Sequence, residues 1–199
     1  MIEPFRIEVS SETLKDLRDR LRATRWPGGV SDSGGVPLSE MRDIARYWLE
    51  DFDWPAQEHD INRLPHFRAE LGGLRLHYLH LKSARPAARP LLLLHGWPGS
   101  FVEMLSILPM LTESFHVVVP SLPGYGFSDA PSSAGMSNER IAALLAELMI
   151  ALGYDRFAVQ GGDWGAGIAT WLAVRFPSRV VALHLNYIPG SYAPFVKGE

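Results

Sequence analysis

Between Phe157 and Ala169 a run of apolar strand-formers gives way to an apolar helical stretch, and the junction reads Gly161-Gly162-Asp163-Trp164-Gly165-Ala166. A sharp strand-to-helix turn crowds the backbone at its tip, so small residues must stand two positions before the tip and two or three after it. Around Asp163 they do. The pattern predicts a strand, "RFAVQGG", then a helix from Trp164 to about Phe176, with Asp163 exposed at the tip beside the first free N–H groups of that helix. Those groups favour an ionised carboxylate.

The surrounding sequence extends the same architecture. "PLLLLHG" and "FHVVVPSLPG" read as buried strands, a helix is predicted from about Asn138 to Leu152, and "VVALHLN" closes the series as a last strand. Continuous apolar strands alternating with helices indicate an α/β fold whose sheet is mostly parallel and covered on both faces. Ahead of it the period is two. "HFRAEL" and "LRLHYLHL" flank Gly72-Gly73, a two-residue hairpin signal. Earlier still the chain reads as an irregular helical region. Leu14, Leu17 and Leu21 recur at helical spacing behind Ser10 and Ser11, either of which can cap the helix. The stretch "WPGGVSDSGGVP" breaks the pattern, and a second helix with Met41, Ile44, Trp48, Leu49 and Phe52 on one stripe ends near Pro55. The boundaries expected are 1–65 for the helical region and 66–199 for the α/β part.

Composition removes several classes of function. With 199 residues, 47% apolar and 21% charged, the chain has enough material for one substantial core. A net charge of -3 and a pI near 6.2 offer no basic surface for phosphate backbones, so no nucleic-acid partner is expected. The absence of cysteine removes disulfides, a thiolate nucleophile and Cys-ligated zinc. No segment approaches the roughly 18 consecutive apolar residues of a membrane span, and "MIEPFRIEVS" lacks the apolar core of a signal peptide. The expectation is a soluble cytoplasmic protein.

Taken alone, Asp163 has two readings: an ordinary helix N-cap, the commonest task of Asp at a helix start, or a nucleophile. The loop "HGWPGS" after "LLLL" bears on the choice, because a loop beside the nucleophile strand can supply a backbone N–H to an oxyanion. Trp97 would give one donor and Trp164 the other. His95 in that loop reads as structural. Ser128, in "PGYGFSDAP", stands at no strand-to-helix turn and also reads as structural, while Tyr125 of the same loop is a candidate for polar contact with substrate. Aspartate in place of serine has a chemical meaning. A serine that opened an epoxide or displaced halide at saturated carbon would leave an ether that water cannot cleave. A carboxylate leaves an ester, whose carbonyl water can attack. The substitution points to hydrolysis of epoxides or haloalkanes.

These stretches together resemble the microsomal-type epoxide hydrolases: "PFRIEVS", "RLRATRWP", "YWLEDFDWP", "INRLPHF", "LRLHYLH", "PLLLLHGWPGS", "PSLPGYGFSDAP", "LMIALGYDRFAVQGGDWGAGIA" and "LHLNYIPG". The resemblance runs from Pro4 to about Pro189. It implies an α/β-hydrolase fold, with the sheet present through about its sixth strand. It also implies Asp163 as nucleophile, backbone N–H groups of Trp97 and Trp164 as the oxyanion hole, and Trp97, Tyr125 and Trp164 lining the substrate pocket. The substrate implied is a small apolar epoxide, with no cofactor and no metal. The helical region is expected to pack around the α/β domain and its lid.

The family also uses an acid, a histidine and lid tyrosines downstream of the nucleophile. After Asp163 this sequence contains only His184 and Glu199 of those acid and histidine types. His184 reads as a structural strand residue, and Tyr187 and Tyr192 come too early to be lid tyrosines. The chain is therefore expected to be a catalytically incomplete fragment, with self-association or a complementing C-terminal chain as its partners. Two other readings stay open: a haloalkane dehalogenase, against which the N-terminal region speaks, and an inactive ligand-binding or interaction fragment.

Overall fold

In the computed structural model, which describes residues 1–28 and 35–187, the chain divides into two units: Met1–Arg6 together with the chain from Leu64 onward, and Ile7–Arg63. The described part of the second unit is helical. Ser10, not Ser11, caps helix α1 (Ser11–Arg22), its hydroxyl accepting from the Thr13 N–H. Helix α2 (Leu38–Glu50) follows. α2 stops at Glu50, with Asp51 as its C-cap, so Pro55 does not end it as expected. Pro55 sits in the first turn of a further helix, α3 (Trp54–Ile61), where its missing N–H costs nothing and Asp53 caps the Ala56 N–H. The Asn62 carboxamide bonds both the N–H and the C=O of Ile7, and Glu58 accepts from Val9 N and Trp54 Nε1, which ties the start of the unit to its last helix. Leucines of α1 and Ile44 and Trp48 of α2 line an apolar cleft of about 370 Å³.

The first unit is built on a seven-stranded sheet with strands β1 (Ile2–Pro4), β2 (His66–Leu71), β3 (Leu74–Leu81), β4 (Arg89–Leu94), β5 (Phe115–Pro120), β6 (Phe157–Gly161) and β7 (Val180–Leu185). Their order is β1-β2-β3-β5-β4-β6-β7. The sheet is mixed. β5, β4, β6 and β7 are parallel, while β1, β2, β3 and β5 pair antiparallel, so the expectation of a mostly parallel sheet holds for one half only. The physical reason is the hairpin: Gly72 and Gly73 both take positive φ, fold β3 back on β2, and bring β3 antiparallel to β5.

The core follows the alternation of the strands. Leu92, Leu94, Val118 and Val159 face helices α5 (Asn138–Ala151) and α6 (Trp164–Arg175), meeting Leu145, Leu148, Ile168 and Leu172, all fully buried or nearly so. Burying each such side chain contributes about 1.5–3 kcal/mol. A 3₁₀ turn (Phe101–Ile107) and short helix α4 (Leu108–Thr112) connect β4 to β5 and lie against β5.

The loop after β5 is pinned from beneath. His77 of β3 is fully buried; its Nε2 meets His66 Nδ1 at 2.9 Å and its Nδ1 meets Ser121 Oγ at 2.8 Å. Ser128 accepts from His77 N and donates to the Ser121 carbonyl, and Arg75 grips Asp129 with two guanidinium bonds. Ser128 is thus a structural clasp. Burial, helped by neighbouring His66 and Arg68, pushes His77 down to about 3, so the ring is neutral in the fold.

Candidate active site

Parallel strands end together, and in open α/β sheets the loops at their carboxyl ends form the crevice where ligands bind. Here those loops are His95–Gly99 after β4, Gly162-Asp163 after β6 and Asn186-Tyr187 after β7. They enclose a cavity of about 210 Å³, lined among others by Trp97, Gln160, Asp163, Asn186, Tyr187 and Glu103.

Asp163 stands at the tip with φ 50° and ψ -123°, the only non-glycine residue with positive φ among the described residues. Backbone there is strained for any residue with a Cβ, and such strain concentrates at functional positions. Its side chain makes no N-capping bond to the helix interior. Instead Oδ1 accepts from the Trp97 N–H at 2.8 Å, and the nearby Trp164 N–H adds to the stabilisation of the charged carboxylate. These two donors, Trp97 first, hold the carboxyl below the usual carboxylate range. The approach depends on missing side chains. A Cβ on Gly96 would lie 2.5 Å from that of Asp163, and one on Gly165 would lie 2.5 Å from the Leu94 carbonyl oxygen.

His95 is buried and fully committed. Its Nε2 accepts from the Leu122 N–H at 3.1 Å, which leaves the proton on Nδ1 to be donated to the Gly96 carbonyl at 3.0 Å. Burial lowers its pKa. It holds two site loops together and has no nitrogen left for a proton transfer.

The three residues expected to line one pocket are divided between two cavities. Trp97, 66% exposed, borders the cavity of Asp163. Tyr125 and Trp164, the latter 53% exposed, border a neighbouring cavity of about 190 Å³. Tyr125 meets His95 edge-on, ring centroids 5.2 Å apart. His184 is an exposed residue of β7 and does not line the cavity of Asp163, whereas Tyr187 does. Tyr192 and Glu199 lie outside the described residues. Glu103, Gln160 and Asn186 were not read as site residues from the sequence. The signal that finds Asn186 is its place just past the carboxyl end of a parallel strand.

A strained acidic elbow, donors from two adjoining loops and a crevice at the strand ends define the α/β-hydrolase class, and the model of the alpha/beta hydrolase fold matches residues 89–193. A second family model, the epoxide hydrolase N terminus, matches residues 2–104. The chain belongs to the epoxide hydrolase family. It is 39% identical to epoxide hydrolase 1 of Sus scrofa, the match covering 93% of this chain and 44% of that protein. Among solved structures, juvenile hormone epoxide hydrolase of the silkworm Bombyx mori superposes with a TM-score of 0.84 at 35% identity over 94% of this chain and 53% of that one. The epoxide hydrolase of Aspergillus niger gives 0.85 at 35% identity over 94% and 52%. The chain thus spans about half the length of the relatives it matches.

Proposed function

We propose that this chain carries the ester-forming half of an epoxide hydrolase, with Asp163 as the nucleophile. The observation that supports this reading is the Trp97 N–H already seated on the carboxylate, 2.8 Å from Oδ1, with the Trp164 N–H close by to favour its charge. One oxygen is anchored and the other is left to attack. An Asp163 oxygen bonds to a ring carbon of the epoxide, the carbon–oxygen bond of the ring breaks, and its electron pair goes to the departing oxygen, which takes a proton. The product is a hydroxyalkyl ester of Asp163. Water then attacks the ester carbonyl, the Trp97 and Trp164 N–H groups stabilise the oxyanion, and collapse returns the carboxylate and releases a vicinal diol. Epoxide plus water balances to diol, without a cofactor.

Hydrolysis of the ester by the usual route needs a histidine base, and no histidine among the described residues is in position for it. His95 is spent on two backbone bonds and His184 lies off the cavity. The lowered pKa of Asp163 keeps the nucleophile ionised at neutral and mildly acidic pH. The expected result is one equivalent of ester trapped on the protein. Intact-protein mass spectrometry after incubation with styrene oxide tests this: one adduct, mapped to Asp163 and lost in Asp163→Ala, is expected. No adduct, or an adduct that persists in Asp163→Ala, overturns covalent catalysis by this residue. Many equivalents of diol per chain would overturn the trapped ester alone. The same incubation with a bromoalkane, followed for halide, checks the dehalogenase reading, which the match of the N-terminal region disfavours.

A further inference from the structure

A second carboxylate borders the cavity of Asp163. Glu103 lies in the 3₁₀ turn that follows the His95–Gly99 loop, and Ser100 caps that turn. The pattern Ser-x-x-Glu ordinarily folds the glutamate back onto the backbone N–H of its capping serine. Here the return bond is not made. The Ser100 hydroxyl accepts from the Val102 N–H, and among the described residues no hydrogen bond joins the Glu103 carboxylate to Ser100. The carboxylate lies instead over Gly99, where a Cβ would collide with Oε1. Gly96 serves Asp163 in the same way, since a Cβ there would stand 2.7 Å from Oδ1. One loop thus clears space, through separate glycines, for a carboxylate on either side of it. Glu103 is exposed, and its charge reaches His95, where it works against the lowering of the pKa by burial. It is not among the groups that shift Asp163, so the two carboxylates share a cavity without touching. Space for a water molecule follows from that separation.

We infer that Glu103 is a catalytic residue of the second step, the general base toward the water that attacks the ester. This role rests on the reading of Asp163 as the nucleophile. Once Asp163 is alkylated it is neutral, and Glu103 is the remaining carboxylate among the described residues lining the cavity. Water bonds through its oxygen to the ester carbonyl carbon while one of its protons passes to the Glu103 carboxylate. The tetrahedral intermediate then breaks the bond to the diol oxygen, which takes that proton back, and Asp163 returns to carboxylate by losing its own proton to solvent. The sum is ester plus water to diol plus free chain. A carboxylate is a weaker base than an imidazole, and this one is open to solvent, so the step is slow. The ester therefore accumulates to one equivalent first and decays afterwards.

The test uses the full 199-residue chain. The chain, Glu103→Gln and Glu103→Ala are each alkylated with styrene oxide and freed of excess epoxide, and loss of the adduct is followed by intact-protein mass spectrometry alongside diol release. Starting from the purified adduct removes the rate of ester formation from the comparison. The adduct of the unchanged chain is expected to decay with release of an equal amount of diol. Glu103→Gln keeps the shape of the side chain and removes the base, and should slow the decay by at least about tenfold, short of the 10²–10⁴-fold typical of a general base because the carboxylate is exposed. Glu103→Ala should be as slow, and formate, a small carboxylate that fits the space vacated, should restore its decay in proportion to concentration. Chloride at equal ionic strength should not.

Rescue by formate is a response that a merely structural glutamate would not give. Circular dichroism and the urea midpoint of each variant verify that it folds. An adduct that never decays in the unchanged chain, or decay at the same rate in Glu103→Gln, overturns the role of Glu103 and leaves Asp163 standing as the nucleophile. Slower decay without rescue by formate, or with equal rescue by chloride, likewise overturns the base. No adduct on Asp163 in any of the three proteins overturns both readings together.

Discussion

Replacing Asp163 by glycine and, separately, by alanine isolates the backbone strain of the elbow. Both variants delete the carboxylate and with it the bond from Trp97 and the favourable influence of the Trp164 N–H, so that loss cancels in the comparison. What remains is the conformation, φ 50° and ψ -123°. Alanine must adopt it against its Cβ, at a cost of about 1–3 kcal/mol. Glycine adopts it freely but loses about 0.5–1 kcal/mol more in chain entropy on folding. Glycine should therefore be the more stable variant by about 1–2 kcal/mol. With a urea dependence of about 2 kcal/mol per molar, its midpoint should lie about 0.5–1 M above that of Asp163→Ala, read by circular dichroism under identical conditions. Equal midpoints, or a more stable alanine variant, would show that the turn relaxes when the carboxylate goes. The strain would then be a consequence of the Trp97 bond and not of the turn.

Two further perturbations test the core. The Tyr78 hydroxyl is buried without a partner, and burial raises its pKa to about 12, so Tyr78→Phe should stabilise the chain by about 1 kcal/mol; a loss of that size in the same urea titration would reveal a hidden partner. His77 is neutral in the fold down to about pH 3 but titrates near 6.5 when unfolded, so the unfolded chain gains a proton that the fold refuses. Stability is then fully present above pH 6.5 and falls by about 1.4 kcal/mol per pH unit below it, a loss that His77→Asn should flatten between pH 6.5 and 4.5. His80, lowered to about 4 mainly by burial, adds in the same direction. Asp129, held low chiefly by its bonds to Arg75, acts only below the ordinary carboxylate range.

The hairpin at 66–81 was legible to the residue because both of its determinants are local: alternation of period two, and two glycines that accept positive φ. β1 was not, since three residues carrying a glutamate and a proline become a strand only by pairing with β2, and that pairing is not local. Helix α3 was hidden by an ambiguity in proline itself, which ends one helix and starts another equally well. Asp53, two residues earlier, was the signal that resolves it. At the site, Asp163 and Trp97 were legible because their turn and loop motifs abut strand ends. The cavity containing Asn138 was not, because it exists only where the start of α5 crosses α6 at Gly167, a contact that no spacing in the sequence announces.

The carboxylate at the elbow also has a structural logic that a serine could not supply. A serine offers one oxygen, which carries a proton that a base must remove before attack. Asp163 offers two oxygens with no proton to remove, and the lowered pKa from Trp97 and Trp164 keeps it so. The N–H of Trp97 fixes Oδ1 at 2.8 Å before any substrate arrives. On the proposed reading, that oxygen becomes the ester carbonyl and then the oxyanion without leaving its donor. The donors need no rearrangement between the two steps, which is the condition under which fixed dipoles stabilise developing charge most effectively. Nucleophile and oxyanion hole then share one piece of geometry, set by Gly96 and Gly165 allowing the loop after β4 and the start of α6 to close on each other. A side chain at either glycine would therefore impair ester formation and ester hydrolysis together, not one step alone.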